Sequence, residues 1–372
     1  AFLLQFLTAS LLYAVGVLGA QNGITELTNF GSNPTGIRAW IYKPNNPVSR
    51  PALVVAMHYC GGSAQAYFSG TQWANLSDQH KSFIVIYPQS PAGSNGCWDV
   101  DLPAALTHNG GGDSLGIASV IRFAIANHNV DPAKVFTTGT SSGAMMTQTL
   151  AGAYPDLIAA GSAFAGVPFG CFDGNGIWWR PCPTGQNIKS AQTWGDKVRA
   201  AYPGYNGPRT RLQLWHGTKY VLHLHSSLFC LLRFASDHSD EVLHYNVHTE
   251  AIKQWTNVFG YGNPISTTTN NPLNGWTRSY YGPNFEAITA QGVTHGIPVQ
   301  ENEALKWFGL LPGGPVTLTG TTTPTTTPTT TPTTTPTTTP TSITTPTWSP
   351  PPVTTTTTAS GPQQTRWGQC GG

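Results

Sequence analysis

Residues 134–150, KVFTTGTSSGAMMTQTL, decide the reading of this chain. An apolar, strand-like run enters a Gly-Thr-Ser-Ser-Gly corner and leaves it as a helix-like segment. A strand-to-helix corner this tight needs Gly139 and Gly143, because side chains there would collide with neighbouring backbone. The corner lifts the hydroxyl of Ser141 above the sheet edge. It also sets the amide of Ser142 at the positive end of the helix, where an oxyanion is stabilised. The chemistry this predicts is acyl transfer through a covalent ester.

A chain rich in glycine makes such matches by accident, and a second one lies at 112–116, Gly-Asp-Ser-Leu-Gly. It follows THNGGG (107–112), a loop with no strand before the serine. Asp113 or Ser114 is therefore expected to cap the helix LGIASVIRFAIANH that follows, leaving Ser141 as the nucleophile. The hydrolase family named for Gly-Asp-Ser-Leu also carries an Asp-x-x-His near its C-terminus, which is not found here.

With 41 Gly, 30 Pro, 11% aromatic and only 9% charged residues, the composition is that of a loop-rich, aromatic-rich secreted protein. A formal net charge of +2 with no basic stripe gives no footprint for nucleic acid or for an acidic membrane surface. Residues 1–20 are apolar and end in small residues, as in a secretory signal cleaved after Ala20. The segment lacks an initiator methionine and a basic flank, so the extreme start of the leader is expected to be missing, and with no stop-transfer flank a membrane anchor is the weaker reading. An oxidising, extracellular location follows. Two disulfides are expected among Cys60, Cys97, Cys171 and Cys182, with Cys60–Cys97 and Cys171–Cys182 favoured among three pairings. Asn75-Leu76-Ser77 is an N-glycosylation sequon, and no Cys/His spacing resembles a zinc site.

From 21 to 312 apolar β-rich runs alternate with helical ones. The segments 51–58, 82–89, 134–139, 159–167 and 211–217 read as buried parallel strands; 118–128, 144–155 and 249–260 read as helices. The alternation predicts an α/β domain with a mostly parallel central sheet and helices on both faces. Beyond it, 313–362 is a Thr/Pro spacer with Pro324, Pro328, Pro332, Pro336 and Pro340 at a fixed interval, extended and O-glycosylated by expectation. The closing QQTRWGQCGG (363–372) resembles the start of the family-one fungal cellulose-binding module. In that family the aromatic at Trp367 belongs to the cellulose-stacking face. A fragment so short cannot fold unaided, so cellulose binding is expected only of a complete module.

A serine hydroxyl needs a histidine base and a carboxylate, which in this fold follow in the order Ser, Asp or Glu, His. His295 stands in GVTHGIPVQ after FEAITAQ, a last strand and its loop. The motifs PALVVAMHYCGGSA, CWDV, HNGGGDSLG, GTSSGAMM, GSAFAGVPFGC, AYPGYNGPR, EAIKQWTNVFGY and GVTHGIPVQ together resemble the fungal acetylxylan and feruloyl esterases of carbohydrate esterase family one, over nearly all of 22–312. The resemblance implies an α/β-hydrolase fold, and an acidic residue two positions after His-Gly-Thr. Here the chain departs from the pattern. After Thr218 it carries the insert 219–238, KYVLHLHSSLFCLLRFASDH, whose removal restores the pattern and makes Asp240 the acid. The insert is apolar and brings the odd Cys230, an aggregation liability in a secreted enzyme. A retained in-frame intron is the favoured reading and a natural lid loop the alternative; transcript sequence across codons 218–239 separates them.

The predicted site is thus Ser141, His295 and Asp240, with an oxyanion hole from the amide of Ser142 and, by the resemblance, the amide near Cys60 in the loop His58-Tyr59-Cys60-Gly61-Gly62. Trp98 and Trp178 or Trp179 are weaker candidates for acyl or sugar subsites. The reaction calls for no metal or organic cofactor. The resemblance favours acetylated xylan as the substrate, and a monomer is expected. Feruloyl esterase is the runner-up, a polyhydroxyalkanoate depolymerase a distant third, and a non-catalytic carbohydrate-binding protein the rival of another class.

Overall fold

Six short runs of β-branched, small and aromatic residues build the centre of the molecule in the computed structural model, which describes residues 20, 22–91, 95–219 and 242–314. The leader before Ala20, residues 220–238 of the insert, Asp240, the Thr/Pro spacer and Trp367 lie outside the described residues. The strands are β1 (Thr25–Leu27), β2 (Arg38–Tyr42), β3 (Ala52–Met57), β4 (Phe83–Gln89), β5 (Val135–Thr140), β6 (Ala160–Phe164), β7 (Arg211–Gly217), β8 (Ser266–Thr269), β9 (Trp276–Gly282) and β10 (Phe285–Ala290). Among the described residues they form one sheet in the order β1-β2-β4-β3-β5-β6-β7-β10-β9-β8. From β4 to β10 every neighbouring pair is parallel, and antiparallel strands finish both edges. This is the α/β-hydrolase architecture expected from the sequence.

The helices are α1 (Ala64–Gly70), α2 (Trp73–His80), α3 (Gly112–Asn127), α4 (Ser142–Ala153), α5 (Ala191–Ala200), α6 (Asn246–Phe259) and α7 (Glu301–Phe308). Alternate side chains of β3 divide between two cores. Leu53, Val55 and Met57 pack with residues of α3, α4, α5 and α6, while Ala52, Val54 and Ala56 pack with residues of α1, α2 and α7. A parallel strand buried on both faces has no polar alternation, which is why β3 reads ALVVAM and is buried throughout. Trp73, Trp194, Trp255 and Trp307 are fully buried on the helical layers, each burial stabilising the fold by about 3 kcal/mol.

One local expectation is corrected. Neither Asp113 nor Ser114 caps α3: the helix begins at Gly112, its N-cap is Gly111, and both residues lie buried inside the first turn. The Ser114 hydroxyl donates to the carbonyls of Ala105 and Gly111. The cap comes instead from a distant loop, because both carboxyl oxygens of Asp99 accept the Asp113 amide at 3.1 and 3.0 Å.

Candidate active site

Ser141 joins β5 to α4 with φ 55° and ψ −117°, a backbone conformation that L-residues rarely adopt. Its own amide donates to Phe164 O at 2.8 Å and its carbonyl accepts from Met145 at 2.9 Å, so the corner is anchored to β6 on one side and to the helix on the other. A Cβ at Gly139 would lie 2.5 Å from the Gly143 carbonyl, and one at Gly143 would lie 2.2 Å from Met57 O. The two glycines therefore let α4 start directly on β5 and β3. Gly143→Ala is expected to push the helix start off β3 and to leave little soluble, active enzyme; wild-type yield and turnover in that variant would contradict the packing.

His295 arrives from the opposite side. Its loop follows β10, beside β7 in the sheet, and presses onto the end of β7, where a Cβ at Gly217 would meet Val293 O at 2.1 Å. Lys219 donates to Val293 O and Gly292 to the Thr218 hydroxyl, which pins the loop. The result is an imidazole whose Nε2 lies 2.8 Å from Ser141 Oγ. Desolvation pushes the His295 pKa down to about 4, so the ring is neutral at ordinary pH and able to accept a proton. Its Nδ1 is buried and has no hydrogen-bond partner among the described residues. A neutral imidazole with one nitrogen on a serine hydroxyl can accept that hydroxyl's proton. Asp240, the predicted third member, falls outside the described residues.

The loop after β3 is tied to the helix start by covalent and polar links. Cys60 is bonded to Cys97, and the amide of Trp98 donates to Ser142 Oγ at 2.8 Å. The amides of Gly61 and Gly62 are occupied by Gly96 O and Tyr59 O, whereas that of Cys60 makes no hydrogen bond among the described residues. The oxyanion role expected of Cys60 from the resemblance is a proposal, compatible with an amide that makes no hydrogen bond among the described residues. His58, which the sequence reading did not single out, is wholly buried beneath this loop. It accepts from the Ser90 amide at Nε2 and therefore donates from Nδ1 to Tyr59 O at 2.7 Å. Burial lowers its pKa, which favours the neutral ring that this pair of hydrogen bonds requires. The second disulfide, Cys171–Cys182, is also formed.

Trp98 is a correction. It is 1% exposed, packs on the His58 ring and donates from its indole N–H to His58 O, so it braces the loop from inside and lines no open subsite. Trp178 is exposed, and Trp179 packs partly against the core. Asn75 is half-buried on α2, its side-chain amide on Gln72 Oε1.

The chain is similar to several known esterases. The Esterase PHB depolymerase family model matches residues 38–175. An acetylxylan esterase of Coprinopsis cinerea is 46% identical over 293 residues, covering 77% of this chain and 73% of that protein. Acetylxylan esterase A of Emericella nidulans is 41% identical over 320 residues, covering 82% and 98%. Among solved structures, an acetyl xylan esterase from Aspergillus awamori superposes with a TM-score of 0.70 at 38% identity, covering 78% of this chain and all of that one.

Proposed function

The chain belongs to the family of acetylxylan esterases and is a carboxylic ester hydrolase, and from that premise we propose that it removes acetyl groups from acetylated xylan by a Ser141–His295–Asp240 acyl-enzyme route. The observation that carries the reading is the 2.8 Å contact between His295 Nε2 and Ser141 Oγ at the strained corner. His295 takes the serine proton as Oγ attacks the acetyl carbonyl, and Asp240 accepts from Nδ1–H and favours the imidazolium that forms. The amides of Ser142 and Cys60 hold the oxyanion. As the intermediate collapses and the bond from the acetyl carbon to the xylose oxygen breaks, His295 gives its proton to that oxygen, which leaves as the hydroxyl. Water then attacks the acetyl-enzyme by the same steps and acetate leaves. Both disulfides support a secreted enzyme, since such bonds persist in oxidising compartments.

Incubation with acetylated glucuronoxylan and, separately, with feruloylated arabinoxylan tests the substrate. Acetate release is expected to dominate; faster ferulate release would overturn the acetyl reading and install the feruloyl one. An organophosphate is expected to label Ser141, and a chain that stays unlabelled would favour a carbohydrate-binding role without catalysis.

A further inference from the structure

The Gly-Asp-Ser-Leu-Gly segment, set aside as a nucleophile, has a second use. Asp99 and Asp113 exchange backbone hydrogen bonds, the Asp99 amide donating to Asp113 Oδ2 at 3.1 Å while the Asp113 amide donates to both carboxyl oxygens of Asp99. Gly112 has φ +67°, and a Cβ there would lie 2.7 Å from Asp99 Oδ2, so the glycine makes room for the approach. Asp113 is 1% exposed, with the Thr35 hydroxyl beside its carboxyl. Each carboxyl is drawn to the other residue's amide, so the two groups share one partly buried site and repel when both are ionised, a repulsion that one neutral and one ionised carboxyl relieve. The α3 N-terminus accommodates the single negative charge that remains. Asp99 directly follows Trp98, whose amide holds Ser142, and Trp98 follows Cys97, whose disulfide holds Cys60. The pair thus sits at the outer end of the strap that places both oxyanion amides.

We propose that Asp99 and Asp113 share one proton in a carboxyl clasp that positions the oxyanion loop, and that loss of this proton at alkaline pH slackens the loop and lowers turnover. The loop's catalytic part in this rests on the function proposed above. The groups facing the pair are Asp101 on the same loop and the Thr35 hydroxyl before β2. Burial, then the charge of Asp113, pushes the Asp99 carboxyl up from 3.8 to about 8, and burial raises Asp113 as well. A carboxyl raised on folding stabilises the fold fully below its unfolded value of 3.8, and that contribution is lost as pH rises through about 8. The clasp is therefore closed at neutral pH and opens in mildly alkaline solution. Both residues act through the loop and are positioning residues.

Asp99→Asn tests the clasp, because the amide is neutral and supplies an N–H donor where the acid supplied O–H. A difference infrared spectrum of wild type against Asp99→Asn, without substrate, is expected to show a protonated-carboxyl carbonyl band at neutral pH that fades as pH is raised. Wild-type kcat is expected to fall on the alkaline side, with KM nearly constant, and Asp99→Asn to carry that fall to higher pH. Asp99→Ala, which removes the clasp, is expected to lose about tenfold in kcat at neutral pH, a fraction of the cost of deleting an oxyanion donor. Absence of the carboxyl band, or an alkaline limb that coincides in wild type and Asp99→Asn, would overturn the proposal. The infrared result is independent of substrate, so failure of the esterase reading and failure of the clasp are told apart.

Discussion

Ser141→Ala is expected to lower acetate release by about 10⁶-fold in kcat, to the limit of detection, with little change in thermal midpoint. The Oγ is the bond-forming atom of the proposed mechanism, and no neighbouring hydroxyl can replace it: that of Ser142 is wholly buried and accepts the Trp98 amide. The variant keeps the fold because alanine occupies the strained corner as serine did, and the lost bond to His295 is worth only about 1 kcal/mol net. Ser141→Gly separates the two roles. Glycine adopts positive φ freely, so that variant is expected to be as inactive as alanine and more stable by about 1 kcal/mol or somewhat more, the strain having been released. Steady-state acetate assays beside thermal melts measure both. Residual turnover within about a hundredfold of wild type, far above what a lost nucleophile leaves, would assign the chemistry to another residue.

The second large effect concerns the acid. In a chain shortened by excision of 219–238, which rejoins His-Gly-Thr to Ser239-Asp240, Asp240→Asn is expected to cost about 10⁴-fold in kcat. The Nδ1 of His295, without a partner among the described residues, is the reason: an imidazole with nothing on Nδ1 is free to adopt the wrong tautomer and gains no help in carrying positive charge. The pH profile gives an independent signature. Without a carboxylate, desolvation alone acts on His295 and holds it down to about 4. A carboxylate on Nδ1 stabilises the charged ring and raises that value. The base works only when neutral, so kcat/KM climbs as pH rises through the His295 pKa. The acid limb of the shortened chain is thus expected above that of Asp240→Asn, whose limb drops towards about 4. Identical limbs and equal turnover in the two proteins would remove Asp240 from the mechanism. The same measurement on the full chain shows whether the insert leaves the acid in reach.

The central strands were legible because β3 to β7 are covered on both faces and so appear as continuous apolar runs. The edges were not. β8 is Ser-Thr-Thr-Thr, exposed along its whole length, and β1 buries only its last residue, so neither carries a hydrophobic pattern that distinguishes it from loop. Ser141 and His295 could be singled out because each sits in a short glycine-bearing motif: Gly139 and Gly143 are needed for close backbone approach and Gly292 for its positive φ. Trp98 was misassigned for the opposite reason: an aromatic beside a loop motif looks the same whether its ring faces a pocket or braces the loop from within. The α3 cap escaped because its acceptor, Asp99, lies on another loop, and capping rules look only at neighbours.

The contacts at positions 139, 143 and 217 also set the terms on which this enzyme can vary. At each, any larger side chain meets a backbone atom of a separate segment that cannot rotate away. Those three positions are closed to substitution, and a library spread evenly over the site would waste a share of its members on chains that never fold. The stretch between Cys171 and Cys182 is the reverse case. It is held at both ends by one covalent bond and is exposed over much of the span between, so its exposed positions accept side-chain changes that the three glycines do not.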